Sequence, residues 1–284
     1  MARLEPTPRR ARDDRPAGPT GPARLRAFGW AAAHALPVIA LLVFWEIFAR
    51  SGAVTMFQLP PVSVVLARIR ADALAGDLWI NLSVTLYRAL AGFAIAAAGG
   101  VALGLAMSRS RLAHWFFDPI ISVGFPMPKI AFLPIVILWL GLHDVAKIAM
   151  VALDAIFPVV TATLAGIKGV ERELVWSARN MGASARATLW QVVVPAALPQ
   201  ILTGFQVALP IALIVAVVTE MAMGGYGLGA AMMTAARLAD SAGVFAGVVE
   251  IGGRLCGGQG SCDDPPPPAA VARGGDGADD RVSA

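Results

Sequence analysis

The hydrophobic residues of this chain are gathered in long blocks that alternate with short polar segments. A helix needs about 20 predominantly apolar residues to cross a bilayer. By that measure, five blocks are long enough to span a membrane and a sixth is too short. We expect spans at Trp30–Phe48, Leu86–Ala106, Ile120–Leu142, Ala146–Ala165 and Ile201–Val218, and a truncated stretch at Ala242–Ile251. The pattern predicts an all-α, polytopic helical membrane protein with about five full spans plus a truncated sixth.

Two of these blocks carry features that predict how the helices pack. The third is interrupted by Phe125-Pro126-Met127-Pro128-Lys129, and proline removes a helix hydrogen bond. Such a break is tolerated at membrane depth only where protein or a water-filled cavity satisfies the backbone. In the second block, Gly100 and Gly104 have the small-xxx-small spacing that lets two helices approach closely. We therefore expect a broken third span and a tight helix contact along the second.

The segments outside the blocks define the domain organisation. Residues 1–28 hold seven arginines and almost no large apolar residue, which predicts a disordered basic cytoplasmic arm. Residues 29–251 form the transmembrane domain, within which residues 51–80 are expected to be an extracytoplasmic loop with a short surface helix. Residues 224–229 are glycine-rich; because they follow no predicted strand, we interpret them as a turn between spans and not as a nucleotide loop.

Composition and charge agree with a membrane protein. The chain is 57% hydrophobic and 15% charged, with a mean hydropathy of +0.68, whereas soluble domains are about 45–50% apolar and about 25% charged. Thirteen Lys and Arg residues fall on the side of the arm and six on the other, which places the N-terminus in the cytoplasm. The net charge of +4 does not indicate nucleic-acid binding, because no basic stripe is interleaved with aromatic residues.

The sequence contains no recognisable catalytic or metal-binding motif. It has no phosphate-binding G-x-x-x-x-G-K-[ST] loop, no H-E-x-x-H and no G-x-S-x-G elbow. Its two cysteines, Cys256 and Cys262, and its three scattered histidines do not form a ligand set. We therefore expect neither catalysis nor a cofactor in this chain.

Acidic residues within apolar blocks are candidates for function, because burying a charge in lipid is costly. Asp154 lies in the middle of the fourth block and Glu220 closes the fifth. Both are candidates to line a translocation path, and bonding to a neighbouring helix is the alternative for Asp154. Glu220 is expected to cap an outer cavity at the interface. Glu46, near the end of the first block, is expected to pair with Arg50.

The loop of residues 166–200 is the most informative segment. It is polar and amphipathic, and it predicts a helix, a glycine turn at Gly182, a second amphipathic helix from Ser184, and a stop at Pro195 and Pro199. An ordered amphipathic loop between two spans indicates a docking surface for a soluble partner. A helix lying flat in the lipid interface is the alternative.

This loop resembles the E-A-A-x-x-x-G-x(9)-I-x-L-P signature of the inner-membrane permeases of binding-protein-dependent ABC importers. The residues at the matching positions are Trp176, Ser177, Ala178, Gly182, Val192, Val194 and Pro195. The glycine, the proline, the third alanine and all spacings are kept, while Trp176 replaces the glutamate. The stretches LPPVSVVL, GFPMPKIAFLPIVILWLGL and VVPAALPQILTGFQVAL are similar to the nitrate/sulfonate/taurine branch of these permeases.

The resemblance implies a permease subunit without chemistry of its own. In that family the loop carries a coupling helix that sits in a cleft of a separate ATPase subunit, which binds the ATP, and a periplasmic binding protein delivers the solute. We accordingly expect a multi-pass inner-membrane protein, embedded in lipid, that acts as a homodimer and transports a nitrate-, sulfonate- or taurine-like solute. A stand-alone secondary transporter is the alternative, although it should show inverted repeats. A membrane-embedded enzyme would need a clustered acid/base or metal set.

The C-terminal segment departs from the resemblance. Ten residues of helix at Ala242–Ile251 cover about 15 Å, half of a hydrocarbon core of about 30 Å. Residues 252–284, which include four consecutive prolines, contain no apolar block. We expect them to be disordered and frame-shifted relative to the family, with a natural five-span variant as the alternative.

Overall fold

The computed structural model describes the backbone of residues 23–259 and the side chains of residues 36–253. Most of the predicted basic arm and most of the predicted disordered tail therefore lie outside the described residues. Within residues 23–259 every regular element is helical. The predicted all-α class is confirmed for that part of the chain.

The helices follow one another closely along the chain. They are α1 (Ala23–Arg50), α2 (Val62–Ala75), α3 (Asp77–Arg109), α4 (Arg111–Gly124), α5 (Leu133–Leu140), α6 (Asp144–Lys168), α7 (Arg172–Asn180), α8 (Ala185–Thr188), α9 (Val194–Met223), α10 (Leu228–Arg237) and α11 (Ser241–Gln259). A 3₁₀ turn, Lys129–Phe132, precedes α5, and a π-helical turn, Leu189–Val193, joins α8 to α9.

The described residues up to Val64 belong to one compact unit, and those from Val65 onward belong to another. In the first unit, the indole of Trp45 donates a hydrogen bond to the carbonyl oxygen of Pro60 at 3.1 Å. Arg50 Nε lies 2.7 Å from Glu46 Oε1, so the predicted Glu46–Arg50 pair is confirmed.

The core of the second unit is built by α3, α6 and α9. Its centre consists of small, fully buried residues, which allow the three helices to approach closely. They are Ala89, Ala96, Val151, Ala155, Val159, Ala208, Ala212 and Ala216. A Cβ on Gly100 would lie 2.7 Å from Val159, and one on Gly104 would lie 2.8 Å from Thr163. The predicted packing role of this glycine pair is thus confirmed.

Three continuous helices in the described residues are long and apolar enough to cross a membrane: α3, α6 and the run Ala185–Met223. A fourth crossing results if Arg111–Gly124 and Lys129–Leu140 count as one span, which is bent by 99° at the break between them. The predicted break at Phe125–Lys129 is confirmed there. α1 covers the predicted first span, but side chains before residue 36 are not described. The count of five full spans plus a truncated sixth stays a prediction.

Two predicted helix ends are wrong. Pro195 and Pro199 do not end a helix, since Pro195 lies in the first turn of α9 and Pro199 lies inside α9. The π-helical turn before α9 accommodates Pro195, because the Val194 amide bonds to the Leu189 carbonyl, one residue further back than in an α-helix. α11 continues past Ile251 to Gln259, since residues 252–259 contain glycine but no proline, and glycine weakens a helix without ending it.

Candidate functional site

The features that bear on function lie at the two ends and in the middle of the long helices. The loop of residues 166–200 precedes α9, and the glycine-rich residues 224–229 follow it. α9 has 30 residues, which corresponds to about 45 Å of helix. The two segments therefore lie at opposite ends of the bundle.

The predicted glycine turn in the 166–200 loop is confirmed in atomic detail. Gly182 has a φ of +87°, a left-handed conformation that a residue with a Cβ resists. Its amide donates to the Arg179 carbonyl at 2.9 Å, and the Ala183 amide donates to the Ala178 carbonyl at 3.1 Å. This is the Schellman pattern of a helix that ends at a glycine. The chain then turns into α8, whose first turn is capped by Ser184 Oγ accepting from the Ala187 amide at 3.2 Å.

Helix α7 and its C-cap residue Met181 expose apolar side chains at this end of the bundle. Trp176 is 58% exposed and Met181 is 80% exposed, while Ala178 is buried against the protein. Of the other residues matched to the signature, Ser177 and Pro195 are exposed and Val192 and Val194 are half-buried. The structure therefore places Trp176 and Ala178 on opposite faces of α7, one outward and one inward.

The loop is attached to α3 by a residue that sequence reasoning missed. Arg109, in the last turn of α3, donates through Nη2 to the carbonyl oxygen of Ala185 at 3.0 Å. In the sequence, Arg109 is recognisable only as one of two arginines, with Arg111, that follow the second apolar block. Its contact links the second limb of the loop to the end of a core helix.

Asp154 forms an ion pair in the middle of the second unit. Its Oδ1 lies 2.8 Å from Nζ of Lys129, which belongs to the 3₁₀ turn at the break. Nζ of Lys129 also donates to the Phe125 carbonyl at 3.0 Å and lies 4.6 Å from the centre of the Phe157 ring. The prediction that Asp154 bonds to a neighbouring helix is therefore confirmed by its contact with the 3₁₀ turn. The signal that could have identified Lys129 is a lone cation within an apolar block.

Glu220 belongs to a buried ionic cluster near the other end of the bundle. Its side chain is fully buried, and Oε1 lies 2.7 Å from Nη1 of Arg88. Thr85 Oγ1 donates to Oε2 at 2.8 Å. Arg88 also bonds to Asp144 Oδ1 through Nη2 at 2.6 Å, so one guanidinium joins α3, α6 and α9. Sequence reasoning located Glu220 but placed it at the interface and not in the core.

A bound metal ion requires several ligating side chains in one place. In the part of the chain that the structure describes, no group of three or more His, Cys, Asp and Glu side chains is arranged to hold a metal ion.

Comparison with protein families and characterised sequences gives consistent matches. Residues 92–251 match the family model described as binding-protein-dependent transport system inner membrane component. The putative aliphatic sulfonates transport permease protein SsuC of Bacillus subtilis (strain 168) is 34% identical over 80% of this chain and 82% of its own length. The taurine transport system permease protein TauC of Escherichia coli (strain K12) is 32% identical over 74% and 78%. The riboflavin transport system permease protein RibX of Chloroflexus aurantiacus is 31% identical over 78% and 83%.

Two solved structures have a similar fold at 18% sequence identity. An amino acid ABC transporter with histidines aligns with a TM-score of 0.54 over 68% of this chain and 90% of its own. The inward-facing MetNI methionine ABC transporter aligns with a TM-score of 0.50 over 65% and 92%. These matches concern the fold.

Proposed function

The chain belongs to the family of binding-protein-dependent transport system inner membrane components, and we propose that it forms the translocation path for a small solute in an ATP-driven importer. It is an ABC importer permease of the SsuC/TauC type and a multi-pass inner-membrane protein, not an enzyme. Membership of this family implies an ATPase partner and a substrate-binding protein.

The observation that carries this proposal is the geometry of the 166–200 loop. Trp176 projects from α7 at the end of the bundle, and the Schellman turn at Gly182 folds the second limb back beside it. An exposed tryptophan on a short, well-defined helix is suited to fill a pocket on a protein partner. We propose that this partner is the ATPase. In that assignment the ATPase binds the ATP, and this chain does not. Coupling is assigned to Trp176, Ser177, Ala178, Gly182, Val192, Val194 and Pro195.

The solute is proposed to be a sulfonate-, taurine- or nitrate-like molecule, which carries an anionic sulfonate or nitrate group. The names of SsuC and TauC support the first two, whereas RibX belongs to a system for a different solute. An unpaired Asp154 carboxylate in the path would repel an anionic group of the solute. Because Asp154 is paired with Lys129, the two side chains together carry no net charge, and this objection does not apply. We keep Asp154, which is 24% exposed, in the proposed path. Glu220 is fully buried and paired with Arg88, so we propose that it supports the outer end of the path and does not line it.

The assembly is proposed to contain two copies of this chain, with each N-terminus in the cytoplasm. Helix α5 exposes large apolar side chains, since Leu138 is 82% exposed and Trp139 is 77% exposed. We infer that a second chain or lipid covers this surface in the assembly. Such side chains in water would form a large apolar patch.

Co-purification tests the proposal. The tagged chain is extracted in mild detergent, and bound proteins are identified by mass spectrometry. We expect an ABC ATPase in stoichiometric amounts, and its loss with Trp176→Ala in α7. Active transport by the purified chain in the absence of any ATPase would support the alternative, a stand-alone secondary transporter, which no observation favours at present.

A further inference from the structure

The glycine-rich segment after α9 has a backbone shape that few other sequences could adopt. Gly224, Gly225 and Gly227 have φ values of +72°, +92° and +127°, all in the region that favours glycine. The segment Gly224–Leu228, which we call the outer loop, joins α9 to α10. It lies at the end of α9 opposite to the proposed ATPase-binding loop.

The outer loop is held by hydrogen bonds to three buried side chains and to half-buried Asn81. The Gly224 carbonyl accepts from Lys147 Nζ at 2.6 Å, and the Tyr226 carbonyl accepts from Arg88 Nη1 at 2.6 Å. The Gly227 amide donates to Asn81 Oδ1 and the Leu228 amide to Thr85 Oγ1, each at 2.9 Å. The backbone of the loop is therefore fixed along most of its length.

The anchoring groups include charges whose burial is costly. Arg88 is 4% exposed, Lys147 is 2% exposed and Glu220 is fully buried. Removing such groups from water is unfavourable before their mutual attraction is counted. Arg88 and Lys147 direct hydrogen bonds at loop carbonyls, so this arrangement holds the loop in one conformation.

The fixed backbone presents one large side chain. Tyr226 is 71% exposed although its own carbonyl is bound to buried Arg88. Asp144 shares the same guanidinium, and its side chain is 55% exposed. The loop thus combines a protruding aromatic ring with a nearby carboxylate, on a backbone that has little conformational freedom left to lose. Protein interfaces concentrate their binding energy in aromatic residues of this kind, and a preordered loop lowers the entropic cost of association.

We infer that the outer loop is a rigid docking element for the substrate-binding protein, with Tyr226 as its anchor. This rests on the proposed function, which assigns the opposite end of the bundle to the ATPase and leaves the binding protein as the soluble partner on this side. The complementary surface should offer an apolar pocket for the tyrosine ring and a basic side chain facing Asp144. Tyrosine can also anchor a protein at the lipid interface, but that role does not require a fixed backbone.

Photo-crosslinking in intact cells tests the docking role. The photoreactive amino acid p-benzoylphenylalanine is placed at position 226 in the full complex, and adducts are identified by mass spectrometry after illumination. Trp79 provides a matched control position, because it is 56% exposed in the first turn of α3 at the same end of the bundle. We expect an adduct with the substrate-binding protein from position 226 and not from position 79.

Several outcomes of this experiment would overturn the inference. They are an adduct with a second copy of this chain, an adduct with the ATPase, or labelling of lipid alone. Solute uptake by the same cells separates this inference from the proposed function. Normal uptake without the expected adduct refutes the docking role alone, whereas energised uptake that needs neither ATPase nor binding protein refutes the proposed function.

A titration provides an independent test with variants that remain close to native. In the reconstituted complex, Tyr226→Ala should raise the binding-protein concentration needed for half-maximal stimulation of ATP hydrolysis about tenfold or more. Saturating binding protein should restore full stimulation. Tyr226→Phe keeps the ring and Trp79→Ala removes a ring elsewhere, so both should shift the midpoint less than twofold. An unchanged midpoint for Tyr226→Ala would contradict the inference.

Discussion

The ammonium group of Lys129 lies 2.8 Å from the carboxylate of Asp154, so a cation of the third apolar block and an anion of the fourth neutralise each other. Asp154 is in the middle of α6, and Lys129 begins the 3₁₀ turn that follows the 99° bend between α4 and α5. The pair therefore connects the break in the third block to the core helix α6. It gives a structural reason for both ionisable residues within otherwise apolar sequence.

Removing one member of this pair should destabilise the protein more than removing both. Lys129→Met leaves the Asp154 carboxylate without its partner, and breaking a buried pair in this way costs about 3–5 kcal/mol. We expect a loss of stability near or below about 3 kcal/mol, the lower limit of that range, because the Asp154 side chain is 24% exposed and is therefore partly solvated. Thermal unfolding in detergent measures the effect. The double variant Lys129→Met/Asp154→Leu should recover part of the loss, and Lys168→Met, at the exposed end of α6, should have little effect.

The α3–α6 contact can be tested with two adjacent glycines. A Cβ on Gly100 would lie 2.7 Å from Val159, whereas one on Gly99 would lie 3.5 Å from the flexible end of Ile156. Gly100→Ala should therefore destabilise the protein by about 1–3 kcal/mol, the usual cost of overpacking a core. Gly99→Ala adds the same methyl group at an ordinary contact distance and should be close to neutral. Equal melting temperatures for the two variants would argue against the close approach.

Gly182 should determine whether transport stays coupled to ATP hydrolysis. A Cβ at this position meets no atom within 4 Å, so any cost of substitution arises from its φ of +87°. That conformation costs a residue with a Cβ about 1–2 kcal/mol, and asparagine tolerates it better than most. Gly182→Val should leave the protein inserted but lower the solute transported per ATP hydrolysed, while Gly182→Asn should stay near native. Normal coupling in the valine variant would remove Gly182 from the coupling assignment.

Trp176 should contribute strongly to assembly with the ATPase. Truncating a buried aromatic anchor costs about 2 kcal/mol or more, which corresponds to roughly a 30-fold loss of affinity. Trp176→Ala should weaken ATPase binding by that amount in a pull-down titration. Trp190→Ala is the matched control, since Trp190 is 55% exposed but lies outside α7. If Trp176→Glu binds the ATPase better than the native chain, the ring does not pack into the cleft.

The sequence predicted the helices, the break and the turn because each depends on local rules. Hydrophobic block length indicated α3, α6 and α9, the two prolines indicated the break, and Gly182 indicated a left-handed turn. The packing of Gly100 and Gly104 followed from their spacing alone. These features are set by neighbouring residues, so they can be recognised without knowing the fold.

The charged contacts could not be predicted in the same way. Arg88, Asp144 and Glu220 are far apart along the chain and meet only because α3, α6 and α9 pack together. Arg88 is one of the six basic residues that the charge pattern places on the outer side, but that pattern could not show that its side chain is buried. The proline stop at Pro195 was wrong for a related reason, since a π-helical turn satisfies the backbone in a way that residue type does not reveal.

Uptake into proteoliposomes tests the central claim most directly. The chain is reconstituted with its ATPase partner, ATP is enclosed, and radiolabelled taurine is added outside with the substrate-binding protein. The account predicts uptake that requires ATP, the binding protein and this chain together, and that falls when Gly182 is replaced by valine. Uptake that proceeds without ATP or without the binding protein, driven by an ion gradient alone, would contradict it.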